Sequence, residues 1–191
     1  MIEQTGSSPL DDDLPDGLLA VRAAEGDEDS FAVLVRRHGR ALLGLAGILL
    51  GNAEDAEEAV QDAFVSAWRR LPEYHHGAEF RTWMYRITVN RCLNMRRRRL
   101  PPLPLDAVAE PATGDAWSAP ARAAEQDAAT AALVRALGEL EADQRVCWIL
   151  RELQGLPYKE IAQVTQTSEQ TVRGRLFRAR QSLKEAMAPW R

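Results

Sequence analysis

A proline-rich stretch divides this chain of 191 residues into two parts. Five prolines fall between Leu100 and Ala124. Because proline lacks an amide hydrogen and clashes with the preceding turn, they exclude a continuous helix there. The stretch, which is also rich in alanine, predicts a flexible linker over residues 100–124. Fully extended, that linker would reach roughly 80 Å.

Apolar residues recur at helical spacing on both sides of this linker. Alternating runs of Val, Ile and Thr, which predict strands, are nearly absent. The prediction is therefore an all-α protein with two small helical domains joined by a flexible Pro/Ala-rich linker. The first domain is expected over residues 17–99 and the second, with a helix-turn-helix, over residues 125–191. Residues 1–16 predict a disordered acidic arm.

Charge is distributed unevenly along the chain, whose formal net charge is −4. Residues 1–30 hold nine acidic residues and one arginine, whereas residues 80–100 hold seven arginines and no acid. Residues 168–191 hold six basic and two acidic residues. The overall charge argues against nucleic-acid binding, but its distribution predicts local basic surfaces that favour it.

Several classes of protein are disfavoured by what the sequence lacks. No apolar run approaches the ~20 residues that cross a bilayer, and no signal-peptide pattern begins the chain, so a cytoplasmic protein without membrane insertion is expected. Cys92 and Cys147 form no CxxC pair and are predicted to be buried, apolar side chains. His75 and His76 lack a third ligand at metal-binding spacing. No metal, cofactor or catalytic residue is predicted.

A helix-turn-helix is predicted near the carboxyl end of the chain. Residues 155–164 suit a short helix and residues 165–167 suit a turn. Either Thr167 or Ser168 can cap the second helix, which is expected over residues 169–187.

This second helix has two contrasting faces. The face expected to pack on the preceding helices carries an apolar stripe, which consists of Val172, Leu176, Ala179 and Leu183. On the opposite face, a glycine leaves room for a base edge or a backbone, and arginines can bind guanine edges or phosphates. The predicted contacts to duplex DNA are Gln170, Thr171, Arg173, Gly174, Arg175, Phe177 and Arg178. A solvated basic helix in an ordinary bundle is the alternative.

Residues 53–68 predict a strongly amphipathic helix. Its core-facing stripe is predicted to consist of Ala56, Val60, Ala63, Ala67 and Leu71. Its exposed side is predicted to carry Asp55, Glu58, Gln61 and Asp62. Such an acidic side either solvates the helix or forms a docking surface for a basic partner helix.

Aromatic side chains are interleaved with arginines from residue 80 onward, after a turn-rich loop over residues 71–79. Aromatic rings stack on unpaired bases and arginines bind phosphates, so this composition is typical of a surface for single-stranded nucleic acid. Phe80 and Trp83 are also expected to pack inward, and the placement of Tyr85 is left open. The predicted contacts are Tyr74, His75, His76, Phe80, Arg81, Trp83, Tyr85, Arg86 and Asn90.

Four segments of the chain resemble a known family. Residues 55–64 (DAEEAVQDAF) and 80–90 (FRTWMYRITVN) closely resemble region 2 of the bacterial extracytoplasmic-function (ECF) sigma factors. Residues 155–162 (GLPYKEIA) and 171–180 (TVRGRLFRAR) resemble region 4 of the same family, in the same order and at the expected separation. The resemblance covers most of both predicted domains.

The resemblance implies a promoter-recognition subunit that catalyses nothing itself. The residues that would bind core RNA polymerase, at its beta-prime clamp helices, are Asp55, Glu58, Gln61, Asp62 and Phe64. The second domain would lie at the beta flap, and its helix-turn-helix would read duplex promoter DNA at the minus-thirty-five element. Loop 73–80 and the helix after it would open the minus-ten element and hold the melted non-template strand, with one base flipped into the protein. An anti-sigma factor would hold the chain inactive.

Two other classes of protein remain as alternatives. A helix-turn-helix regulator that binds duplex DNA alone would account for residues 155–188, but not for the acidic helix or the aromatic–arginine segment. A helical metal-dependent hydrolase would use His75, His76 and nearby acids, but no HxxxH, ExxH or aspartate-rich ligand spacing supports it.

Overall fold

The computed structural model describes residues 13–74, 79–99 and 124–190. The α-helices within these ranges are α1 (Asp16–Ala24), α2 (Glu28–Leu50), α3 (Ala53–Arg70), α4 (Phe80–Arg99), α5 (Ala124–Glu139), α6 (Ala142–Trp148), α7 (Tyr158–Thr165) and α8 (Glu169–Ala186). A π-helical segment, Ile149–Leu153, continues α6. The described ranges contain no strand, which confirms the all-α prediction. Residues 1–12 of the predicted acidic arm and residues 100–123 of the predicted linker lie outside the described residues. The prediction of a disordered arm was wrong for its last residues, because Asp16 begins α1 and its carboxylate accepts a hydrogen bond from Nη1 of Arg37 at 2.7 Å.

Side-chain caps fix where three of these helices begin. The carboxylate of Asp27 accepts a hydrogen bond from the backbone N–H of Ser30 at 3.2 Å, and Asn52 caps α3 in the same way. The hydroxyl of Ser168 accepts from the N–H of Thr171 at 3.1 Å. Of the two candidates for the cap of α8, Ser168 is therefore the one observed. Each such cap contributes about 1 kcal/mol.

The N-terminal domain packs α1 to α4 around a core of large aliphatic and aromatic side chains. The predicted stripe of α3 is buried throughout, at Ala56, Val60, Ala63, Ala67 and Leu71. Burying one large apolar side chain contributes about 1.5–3 kcal/mol. These contacts place α3 and α4 side by side. Each of the two helices keeps one face exposed along the line where they meet.

The C-terminal domain packs α5, α6 and α7 against α8. The buried residues of α8 are the predicted stripe, Val172, Leu176, Ala179 and Leu183. Both cysteines are buried as predicted, and burial raises the pKa of Cys92 to about 12 and that of Cys147 to about 11. In the described part of the chain, no helix combines the length and the apolar character needed to cross a membrane.

The two domains are packed directly against each other. Helix α7 lies on α4, and α5 and α6 contact α2, so that one cluster of buried side chains includes residues from both domains. The sequence pattern predicts two units on a tether and does not predict this contact. Helical periodicity identifies one buried stripe per helix, and it does not identify which second helix will cover a residue beside that stripe.

A buried arginine joins the ends of helices from the two domains. Arg145 is 4% exposed, and its guanidinium donates to the carbonyl oxygens of Leu140 at 3.0 Å and Leu49 at 3.5 Å, and also to that of Gly138. Leu49 lies in the last turn of α2, where carbonyl groups lack partners within the helix and carry partial negative charge. Burial lowers the pKa of Arg145 to about 10, so the side chain is charged at neutral pH.

Candidate nucleic-acid interface

The outward face of α8 is open to solvent, as predicted. Gln170, Thr171 and Arg178 are exposed, and Phe177 is 70% exposed. A Cβ at Gly174 would lie 3.5 Å from Nη1 of Arg178, an ordinary contact distance. Packing within the chain therefore does not require glycine here.

The two arginines beside Gly174 have different surroundings. The side chain of Arg173 is 66% exposed and its guanidinium lies 5.9 Å from the ring centre of Tyr158. The side chain of Arg175 is only 19% exposed and pairs with Asp143 of α6. Arg173 is open to solvent and lies 3.9 Å from the carboxylate of Glu169 one turn earlier, whereas Arg175 joins α8 to α6. Arg175 lies three residues after the buried Val172 and four before the buried Ala179, a spacing that places it beside the packed face of the helix.

Three aromatic rings form a cluster at the beginning of α4. Tyr74 lies 5.0 Å from Trp83 and 6.0 Å from Phe80 between ring centres, and Phe80 lies 5.8 Å from Trp83. Phe80 is 2% exposed, and Trp83 is half-buried against the core, which confirms that both pack inward. The cluster flanks the loop in which His75 and His76 occur, and these two predicted contacts lie outside the described residues.

A polar groove of about 260 Å³ runs between α3 and α4. Three of the predicted single-strand contacts line this groove. They are Trp83, Arg86 and Asn90, which are spaced three and four residues apart on α4. Its other walls include Arg70 and Ser66 of α3, which the sequence analysis did not select. The signal that could have identified them is their four-residue spacing on α3, which places both on one face of that helix. The groove offers cationic and amide groups beside an aromatic ring, a combination that binds unpaired bases and their phosphates. It is also lined by the carboxylate of Asp62, which pairs with Arg91.

The remaining predicted contacts of α4 lie against the C-terminal domain. The hydroxyl of Tyr85 donates to Oε1 of Gln154 at 2.7 Å, and the side chain is 2% exposed. Burial raises the pKa of this phenol. Arg81 reaches Glu160 of α7, with Nη2 3.8 Å from the carboxylate. The predicted single-strand surface is therefore split between an open groove and a covered face of the same helix.

The predicted acidic docking surface is also divided. Asp55 is 6% exposed, so the prediction that it lies on the exposed side was wrong. It occupies the first turn of α3, where free backbone N–H groups and the helix dipole favour an acidic side chain even at low exposure. Glu58 and Asp62 are partly exposed, and both pair with Arg91 of α4, Glu58 at 3.2 Å.

Gln61 and Phe64 contribute to a different surface, an apolar groove of about 700 Å³ between α2 and α3. Phe64 is 7% exposed and meets Phe31 edge to face with ring centres 6.2 Å apart. Leu43 and Val65, 39% and 44% exposed, form open apolar walls. The groove suits the apolar face of an amphipathic helix. It was not predicted, because its walls come from two helices whose pairing only the fold determines.

Comparison with known proteins gives the same domain order. Family models match residues 34–100 as Sigma-70 region 2 and residues 130–183 as Sigma-70 region 4. The chain is 36% identical to the RNA polymerase sigma-H factor of Pseudomonas aeruginosa over 183 residues, which cover 91% of this chain and 94% of that protein. It is 32% identical to the ECF RNA polymerase sigma-E factor of Escherichia coli strain K12, over 94% of this chain and 98% of that protein.

Two solved structures have a similar fold. One is CnrH in complex with the cytosolic domain of CnrY, with a TM-score of 0.70, 30% identity and coverage of 91% of this chain and 97% of that chain. The other is the sigma factor RpoE in complex with the anti-sigma factor NepR from Bartonella quintana, with a TM-score of 0.64, 25% identity and coverage of 83% and 96%. With both regions matched in order over most of its length, the chain belongs to the sigma-70 family of RNA polymerase sigma factors, and within it to the ECF type that carries regions 2 and 4.

Proposed function

We propose that this chain is an alternative sigma factor that binds core RNA polymerase and directs it to promoters. In this role it reads the minus-thirty-five and minus-ten elements and assists strand opening, while the polymerase performs all catalysis, and it acts in the cytoplasm with that enzyme. The observation that carries the proposal is the presence of two unlike nucleic-acid surfaces on one chain. These surfaces are the exposed face of α8 and the polar groove between α3 and α4.

The exposed face of α8 supports reading of duplex DNA. An α-helix fits the major groove, and its outward arginines can bind guanine edges or neutralise phosphates. Arg173 and Arg178 are exposed on this face, and Gly174 between them allows close approach. Arg175, which pairs with Asp143, has a supporting role in this proposal because it fixes α8 on α6.

The polar groove supports binding of the melted non-template strand at the minus-ten element. Trp83 offers a ring for base stacking, and Arg70 and Arg86 offer cationic groups for the backbone. The aromatic cluster of Tyr74, Phe80 and Trp83 packs at this end of α4. A flipped base is proposed to enter at this loop, because unstacked bases bind between aromatic and apolar side chains.

Polymerase docking is assigned to the exposed surfaces of α3. Glu58 and Asp62 supply negative charge that would face the basic side of a clamp helix. The adjoining apolar groove would accommodate the apolar side chains of the same helix. In the proposal Asp55 stabilises the beginning of α3 instead of contacting the partner. Control by an anti-sigma factor is supported by the RpoE structure, in which the sigma factor is bound by NepR.

Transcription in vitro tests the proposal directly. Purified chain is added to core RNA polymerase with a pool of genomic promoter fragments, and the run-off transcripts are sequenced. If the chain is a sigma factor, its transcripts begin at defined sites, and the templates share sequence elements upstream of those sites. Core polymerase alone yields no transcripts of this kind. If the purified chain, free of any inhibitor, directs initiation at no template, the proposal is wrong.

A further inference from the structure

An arginine at the wall of the polar groove is neutralised by carboxylates that are assigned to polymerase docking. Arg91 lines the groove between α3 and α4, and it pairs with both Glu58 and Asp62. We propose that Arg91 is a further strand-binding residue of this groove, which Glu58 and Asp62 neutralise in the free chain and which a basic partner on α3 releases. This inference rests on the proposed function, from which it takes strand binding in the groove and polymerase docking on α3.

The three residues meet along the line where α3 and α4 pack together. Glu58 and Asp62 are four residues apart and therefore lie on one face of α3. Arg91 lies four residues after Ile87, which lines the same groove from α4. The packing of the two helices therefore places the guanidinium beside both carboxylates and at the wall of the groove at the same time.

The ion pairs of Arg91 can be exchanged for other contacts. Both carboxylates contact the same nitrogen of Arg91, Nη2, with Oε1 of Glu58 at 3.2 Å. The buried Nε–H of Arg91 has no acceptor among the described residues. A guanidinium binds an anion most strongly when two of its nitrogens donate to it, as they do to a phosphate. The side chains of Glu58 and Asp62 are 59% and 46% exposed, so water screens both pairs and weakens them.

This pairing lowers the positive potential of the groove in the free chain. Two more cationic side chains, Arg70 and Arg86, line the groove, and Arg91 would add a third. Asp62 lines it as well, and its carboxylate would repel a phosphate at short distance. A basic partner on α3 would neutralise Glu58 and Asp62, and the guanidinium of Arg91 would then bind the backbone of a strand.

Polymerase docking and strand binding are therefore coupled in both directions. A strand that binds Arg91 leaves the two carboxylates available to the polymerase, and docking leaves Arg91 available to the strand. Two ligands that compete with the same internal ion pair increase each other's affinity by the same factor. An ion pair that only stabilises the packing of α3 on α4 predicts no such coupling.

Binding of single-stranded DNA to the full-length free chain tests the proposal without polymerase. The probe is a fluorescently labelled oligonucleotide of mixed sequence, because a phosphate contact does not depend on base sequence. Asp62→Asn should tighten binding about fivefold, because it removes one side of the ion pair and releases Arg91. It should also steepen the slope of log K against log salt concentration by about 0.7, as for one more neutralised phosphate on a single strand. Fluorescence anisotropy at a series of salt concentrations measures both quantities.

A second background separates the release of Arg91 from simple loss of a negative charge. In Arg91→Met, the substitution Asp62→Asn should change the affinity by less than about twofold and leave the salt slope unchanged. The matched control Glu54→Gln removes one negative charge from an exposed position on the same helix and should bind DNA as wild type does. Circular dichroism checks that each variant is folded, and Arg91→Gln replaces Arg91→Met if the latter is unfolded. Equal tightening by Asp62→Asn in both backgrounds overturns the proposal.

Association with core polymerase tests the opposite direction of the coupling. Arg91→Met leaves Glu58 and Asp62 without this internal partner, so the variant should bind core polymerase about threefold more tightly than wild type. A purely structural ion pair predicts weaker or equal binding, because its loss would only loosen the packing of α3. Titration with labelled chain measures the change, and weaker or equal binding of the variant overturns the exchange.

These experiments also distinguish the role of Arg91 from the proposed function. If wild-type chain initiates transcription and both backgrounds respond equally to Asp62→Asn, only the role of Arg91 is overturned. If wild-type chain directs no initiation, the proposed function is wrong. The DNA-binding comparison still decides whether Arg91 contacts a strand, because it uses neither polymerase nor a promoter.

Discussion

The helices α4 and α8 are both rich in arginine, yet they use these side chains differently. On α8 the predicted contact residues are exposed apart from Gly174 and Arg175, which are partly buried, and Arg175 pairs with Asp143. On α4, Arg91 pairs with Glu58 and Asp62, and Arg81 faces Glu160. Each helix is contacted by several others, but the buried residues of α8 form a single stripe, whereas those of α4 spread further around the helix and include Thr82, Tyr85 and Val89. A count of basic residues therefore overstates the free cationic surface of a helix that is buried around much of its circumference.

The largest contrast is expected between two phenylalanines. Phe80 of α4 is 2% exposed and Phe177 of α8 is 70% exposed. Phe80→Ala should lower the free energy of unfolding by about 3–5 kcal/mol, because it leaves a cavity among Tyr74, Trp83 and His38. Phe177→Ala should change it by less than about 0.5 kcal/mol. Urea denaturation followed by circular dichroism measures both, and equal losses would contradict the assigned difference.

Removal of the buried arginine should weaken the contact between the domains. Arg145→Met deletes the donors to the carbonyls of Leu49 and Leu140 and should lower stability by about 1.5–3 kcal/mol, as for hydrogen bonds from a charged group. Thermal unfolding measures the change. The matched control is Arg135→Met on the exposed face of α5, which should have little effect. An unchanged melting temperature in Arg145→Met would mean that this contact contributes nothing.

Substitution of two arginines of α8 should change different properties of the protein, DNA affinity for one and stability for the other. Arg178→Ala should weaken binding of duplex DNA that contains the minus-thirty-five element by about 1–3 kcal/mol, with no change in stability. Arg175→Ala should instead lower stability by up to about 1 kcal/mol, because its partner Asp143 lies on α6. Electrophoretic mobility shift and denaturation experiments measure the two effects. If both variants lose the same DNA affinity, the distinction between them is wrong.

The smallest expected effect concerns the acidic surface of α3. Asp62→Lys should weaken association with core polymerase about tenfold, or about 1.4 kcal/mol, while helicity remains unchanged. Glu185→Lys, an equal charge change outside this surface, should leave association unchanged. Size-exclusion chromatography and titration with labelled chain measure both. Full retention of binding by Asp62→Lys would place polymerase docking elsewhere.

Much of the fold could be predicted from local pattern. The buried stripes of α3 and α8 follow from a repeat of 3.6 residues, and the beginning of α8 follows from a cap at Thr167 or Ser168. The exposed contact face of α8 follows as well, since it is the complement of a single stripe. Asp55 was assigned wrongly because periodicity gives the direction of a side chain but not its depth near a helix end.

The sequence by itself determined the all-α class, the buried stripes of α3 and α8, and the family. Only the tertiary structure decided which helices meet. It formed the grooves on both sides of α3, paired Arg91 with Glu58 and Asp62, and placed Gln154 and Glu160 on α4. The physical reason is that helix formation depends on residues three and four positions apart, whereas these contacts join residues up to 78 positions apart.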